Sequence, residues 1–320
     1  MKVNLRIIIG ILCGVAMVSC TSTVSEPNTS QTPIQFGTSV SRAAVNSASD
    51  MTAFSVWGGY GNVKLFEGTK VNNTASGWTY EGGDRYWVSG KTFNFYAFYP
   101  VEVTPNFNIE TDKSFFTLNN YPLGNADKDL MIAVTPALDS DVQANAPVQL
   151  SFRHLLTQVD FVIKTDLETE SFLGKATVVS AHFYGMHSAA DYDGSSFDVN
   201  DKMQSGVWTP AGEIISKDNT PFKVNNKELD STGKSLFGNP FLLFPLLKDE
   251  TVFLDFVYKF EKDTKEYNKT LNLSVMTPGG WISGNNYRYG ITIIDTENIL
   301  FEKPTVNPWN TGIGGIIIVE

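Results

Sequence analysis

Apolar and polar residues alternate with a period of two along much of this chain. Phe93, Phe95, Ala97 and Tyr99 share one side of a run in which Thr92 and Asn94 open the other. Val252, Leu254, Phe256, Tyr258 and Phe260 form a second such face, with Asp255, Lys259 and Glu261 opposite. Leu271, Leu273 and Val275 repeat the pattern, as do Tyr289, Ile291 and Ile293. Alternate side chains of a strand point to opposite faces, so each run predicts a strand with one face in a core. Turn-forming clusters separate the runs, as at Gly82-Gly83-Asp84, at Ala190 to Gly194 and at Thr277-Pro278-Gly279-Gly280. One segment, Asp166 to Lys175, predicts a short helix. Many short strands with few helices predict an all-β fold, and 320 residues suffice for two antiparallel β-sandwiches. A division at 165/166 gives an N-terminal domain of residues 34–165 and a C-terminal domain of residues 166–320.

The first 20 residues break this pattern. Lys2 and Arg6 precede an apolar run of about a dozen residues, Ile7 to Val18, shorter than the roughly 20 that span a bilayer. Met17-Val18-Ser19-Cys20 stands where a secretory signal is cut, so residues 1–19 read as a signal peptide. The tetrapeptide resembles the lipobox of bacterial lipoproteins, which implies that Cys20 is lipidated and ties the chain to the outer membrane. Thr21 to Pro33 is rich in Ser, Thr and Pro, and residues 20–33 read as a flexible tether.

Composition narrows the function classes. The second cysteine, Cys13, lies inside the signal, so cleavage before Cys20 leaves no free thiol and no disulfide. The formal net charge is −10, and losing Lys2 and Arg6 leaves 22 basic against 34 acidic residues, or −12. That balance argues against a nucleic-acid partner.

Catalytic patterns are weak. His154, His182 and His187 are the three histidines, and none stands in a zinc-protease or nucleophile-elbow motif. His182 and His187 lie near Asp191 and Asp193, but within one strand their odd spacing would put the rings on opposite faces. Asp191-Tyr192-Asp193-Gly194-Ser195 lacks the glycine position and distal Glu of a calcium loop and reads as a solvated turn. Gly90-Lys91-Thr92 ends like a phosphate loop, yet a strand follows it where that motif requires a helix. Carboxylate pairs such as Asp127 and Asp129 have no separation that sequence can assign. We therefore expect no catalytic, cofactor-binding or metal-binding residues and no enzyme. The six tryptophans read mainly as core, with sugar-stacking platforms as the alternative.

Read in order, a further set of landmarks resembles the fimbrillin-like proteins of Bacteroidetes, the type V pilins. Ile34-Gln35-Phe36 runs into Ser41-Arg42-Ala43, followed by Trp78-Thr79-Tyr80, Tyr86-Trp87 and the run Phe93 to Pro100. Then come Asp129-Leu130-Met131, Phe152-Arg153-His154 and Phe241 to Pro245. Trp281, Gly284, Tyr287, Tyr289 and Val306-Asn307-Pro308-Trp309 complete the series. The resemblance implies two transthyretin-like sandwiches, export as a lipoprotein and a place in surface fimbriae. It also implies polymerisation by strand exchange with other fimbrial subunits, after an arginine-directed protease removes the N-terminal segment.

Carried onto this sequence, the resemblance puts the cleavage site between Arg42 and Ala43 and makes Gln35 to Val40 the strand that is lost. The C-terminal run offers candidates for the exchanged strand, Ile313, Ile316, Ile317, Ile318 and Val319. Two alternatives stay open there: the run is donated to a neighbour, or it is the last strand of its own domain. A host or bacterial surface ligand is a further partner expected of such a protein. The competing reading of the whole chain is a monomeric surface lipoprotein that binds glycans through aromatic platforms.

Overall fold

A computed structural model describes residues 32–40, 51–109, 114–123, 129–196, 206–246 and 250–309. Cys20, Arg42, Ala43 and the run from Ile313 to Val319 lie outside the described residues.

Among the described residues four sheets carry the fold, built from the strands that the two-residue periodicity predicts. The first runs in the order Phe36–Val40, Val148–His154, Met131–Val134, Thr92–Tyr99, Ala53–Tyr60, Val63–Thr74 and Gly77–Tyr80, with Leu138–Asp139 also on Thr92–Tyr99. The second joins Lys234–Ser235, Thr157–Thr165, Asn285–Ile293 and Ile299–Phe301, with Phe241–Leu243 and Thr305–Pro308 at its sides. The third orders Lys223–Glu228, Ala176–Tyr184, Phe253–Phe260 and Asp263–Asn272. The fourth combines Val207–Ile214, His187–Asp193, Ser114–Pro122 and Asn106–Ile109, so strands from both sides of residue 165 share one sheet. Most ladders are antiparallel. Among the described residues two are parallel, Phe36–Val40 on 148–152 and Thr157–Thr165 on Asn285–Ile293.

The buried apolar residues among those described gather in three cores. One is built from residues of the first sheet, including Phe36, Phe54, Phe66, Phe95 and Phe152. Another joins the second and third sheets, where Phe161 meets Phe183 at 5.0 Å between ring centroids. The third collects Phe98, Phe116, Leu155, Leu156, Tyr192, Trp208 and Trp309 from across the chain. Val159, Phe161 and Ile163 belong to the core made with later residues, while Leu155 and Leu156 belong to the third core.

Several local expectations change. Thr92–Tyr99 is buried on both faces, because Phe93 and Phe95 enter the first core while Tyr96 and Phe98 enter the third. The Leu271 to Val275 alternation breaks at a helical turn, Leu273–Met276, which starts where the Asn272 side chain accepts a hydrogen bond from the Ser274 amide. Val275 is left 71% exposed. Ala190 to Asp193 is strand, and the turn follows Gly194 at Ser195 and Ser196. The expected helix appears as Leu167–Leu173, capped by Asp166 and closed by Gly174 at φ 78°. His182 and His187 sit on two successive strands separated by Gly185 and Met186.

Candidate assembly site

The segment Thr32 to Val40 lies along the margin of the first sheet. Its alternation sets Ile34 and Phe36 inward at 1% and 4% exposure, with Gln35 outward. Phe36–Val40 pairs in parallel with 148–152 and is the last strand of its sheet, while Val148–His154 meets the next strand, Met131–Val134, only at Arg153 and His154. Among the described residues, 148–152 therefore has this one segment as its strand partner. Further up, Ile34 donates to the Arg85 carbonyl at 2.7 Å, Trp87 donates to that of Thr32 at 3.1 Å, and Pro33 bridges Tyr86.

Aromatic rings form the socket for Phe36. Its ring meets Phe66 at 5.2 Å, Phe95 at 5.5 Å and Tyr80 at 6.0 Å, all edge-on. The Arg85 guanidinium covers the Phe66 and Tyr80 rings at 4.7 and 5.3 Å, and its Nε donates to the Leu65 carbonyl. The Tyr80 hydroxyl donates to the Ile34 carbonyl at 2.9 Å, and burial pushes that phenol above its ordinary range. The socket is thus built by residues 65–95 and 148–152, and the chain fills it with its own N-terminal strand.

The other end of the chain is held differently. Thr305–Pro308 pairs with 285–288 and is exposed at every residue, whereas Trp309 is 3% exposed. Its amide donates to the Gly284 carbonyl at 2.6 Å, and its indole lies parallel to the buried His154 imidazole. His154 Nδ1 is 2.5 Å from Asp129 Oδ2. The connection after His154 is gripped as well: the Leu155 carbonyl accepts from Trp208 Nε1 and Ser283 Oγ, and that of Leu156 from the Gly284 amide. Three separate sequence landmarks, around Asp129, His154 and Trp309, meet at one buried point. Periodicity carried no signal for that meeting. The 2.5 Å bond belongs to residues on different segments, and a spacing within one segment could not reveal it.

A family model for the fimbrillin-like proteins matches residues 31–309. The chain belongs to the fimbrillin-like family. Solved structures with a similar fold include a fimbrial protein from Bacteroides vulgatus, 16% identical with a TM-score of 0.56, covering 86% of this chain and 99% of its own. A candidate cell adhesion protein from Bacteroides ovatus is 14% identical at a TM-score of 0.53, covering 91% and 99% respectively. No curated protein sequence matches the chain. The fimbrillin-like chain described here has no helix, among its described residues, long and apolar enough to cross a membrane.

Four of its six tryptophans, Trp87, Trp208, Trp281 and Trp309, are buried, so among the tryptophans only Trp57 and Trp78 are left for the platform reading.

Proposed function

We propose that this fimbrillin-like protein is a non-enzymatic subunit of bacterial surface fimbriae, exported as a lipoprotein through Cys20 and assembled by strand exchange. The observation that carries the reading is the marginal strand Phe36–Val40, whose Phe36 enters the first core and which, among the described residues, has a single strand partner. Val40 lies two residues before Arg42, so cleavage after Arg42 would detach that strand with its leader and lipid. The loss would uncover an unpaired edge at 148–152 and the pits left by Ile34 and Phe36. An open edge and exposed apolar pits favour a replacement strand with alternating side chains.

Burial of two such side chains is worth about 3–6 kcal/mol gross. Ile316 and Ile318, or Ile317 and Val319, supply apolar residues at the same two-residue spacing as Ile34 and Phe36. In this reading residues 34 onward form two sandwich domains, the second presenting the C-terminal run to the next subunit.

N-terminal sequencing of surface-extracted protein, combined with mild denaturing gels, tests the proposal. A mature end at Ala43 and a ladder of multimers are expected. A mature form that always begins at Cys20 and runs as a monomer overturns it.

A further inference from the structure

On the face of the first sheet turned away from the first core, the ladder of Ala53–Tyr60 with Thr92–Tyr99 sets Trp57 beside Tyr96 and Gly59 beside Asn94. The neighbouring strand adds Lys64 opposite Gly59. Gly59 thus leaves a gap in a row whose other members carry polar side chains. No side chain can close the gap, since a Cβ there would sit 2.0 Å from the Val63 carbonyl oxygen. A glycine within a strand commonly marks such a place of close approach.

The fourth sheet completes the walls. Its marginal strand Asn106–Ile109 brings Phe107 edge-on to Tyr96 at 4.8 Å, and Asn106 stands at the rim. The result is an open cleft of about 280 Å³ between the two sheets. Trp57 is partly exposed in it, with its indole held by Phe98 at 5.4 Å in a perpendicular contact. Gly68 lets the ring lie close to the strand, because a Cβ would come within 3.1 Å of it.

We propose that this cleft binds a neutral saccharide. A pyranose ring has an apolar C–H face and a rim of hydroxyls that both donate and accept hydrogen bonds. Trp57 offers an aromatic face, and the amides of Asn94 and Asn106 both donate and accept. Lys64 and Glu67 line the same cleft and pair with each other at 2.9 Å, which cancels their charge and leaves donors and acceptors without a net field. A lipid tail would strand these polar groups, and an anionic sugar would find no unpaired cation. The volume lies at the small end of ligand sites and suits a single sugar ring, with the rest of the ligand in solvent. Phe66 borders both this cleft and the socket of Phe36, but the polar groups and Trp57 invoked here take no part in that socket, and the proposal does not rest on the assembly reading.

Saturation-transfer NMR on the folded chain, with lactose, maltose, cellobiose and N,N′-diacetylchitobiose as probes, tests the assignment. At least one of them is expected to receive saturation, strongest on its ring C–H protons, and sialyllactose is expected to bind no better than lactose. Trp57→Ala and Asn94→Ala should each weaken the response about tenfold, while Phe172→Ala, at a distant exposed ring, leaves it unchanged. Asn94→Ala decides the matter if Trp57→Ala fails to fold. Absence of transfer to all four sugars, or transfer that survives both cleft substitutions, overturns the proposal.

Discussion

The imidazole of His154 lies flat on the indole of Trp309, with ring centroids 4.2 Å apart and planes 10° from parallel. Trp309 ends an exposed strand, and its buried ring fixes that strand to the connection between the first and second cores. Trp309→Ala is therefore expected to cost about 3–5 kcal/mol. A double-mutant cycle with His154→Ala should return a coupling of about 0.5–1.5 kcal/mol by urea denaturation. Coupling indistinguishable from zero would show that the stack contributes nothing.

Phe36 gives a prediction whose size depends on processing. In the intact chain, Phe36→Ala should destabilise by about 3–5 kcal/mol, since the ring fills a socket of Phe66, Tyr80 and Phe95. In fimbriae assembled from chains starting at Ala43 the same substitution should have no effect on polymer stability, as residue 36 is gone. Melting of the intact chain and of purified polymer separates the two states.

Gly185 joins Ala176–Tyr184 of the third sheet to His187–Asp193 of the fourth, at φ 102°. A Cβ there would meet the Thr251 carbonyl oxygen at 2.5 Å. Gly185→Ala should cost about 1–3 kcal/mol through backbone strain, read as a lowered thermal midpoint without loss of strand signal in circular dichroism.

Alkaline pH should weaken the fold. Burial pushes the Tyr258 phenol up to about 12, and burial also raises Tyr192, Tyr287 and Tyr289. A raised folded-state value favours the protonated phenol in the native chain, so this contribution is complete below the unfolded value of about 10 and is lost as pH rises towards 12. Denaturation midpoints should fall steadily above about pH 10, and Tyr258→Phe should flatten that fall.

Much of the fold was legible in the alternation. Phe253–Phe260 and Asn285–Ile293 appear where the pattern places them, because one-sided burial imposes period two directly. Leu273 failed as a strand residue since Asn272 caps a helical turn there, a local hydrogen bond that outweighs a two-residue match. The candidate site was legible as segments. Ile34, Phe36, Trp78, Tyr80 and Trp87 stood out in sequence, yet Arg85, whose guanidinium covers Phe66 and Tyr80, did not, because an arginine in a turn reads as solvated.

The sequence by itself determined the class of structure, the strand-forming runs and the landmarks of the fimbrillin-like family, since these depend on residues close together in the chain. The tertiary structure alone decided which strands pair in parallel, that Asp129, His154 and Trp309 converge, and that Gly59 opens a cleft beside Trp57. Parallel pairing and buried contacts join residues far apart in the chain, and their free energy comes from packing and water exclusion between segments, a quantity no single segment carries.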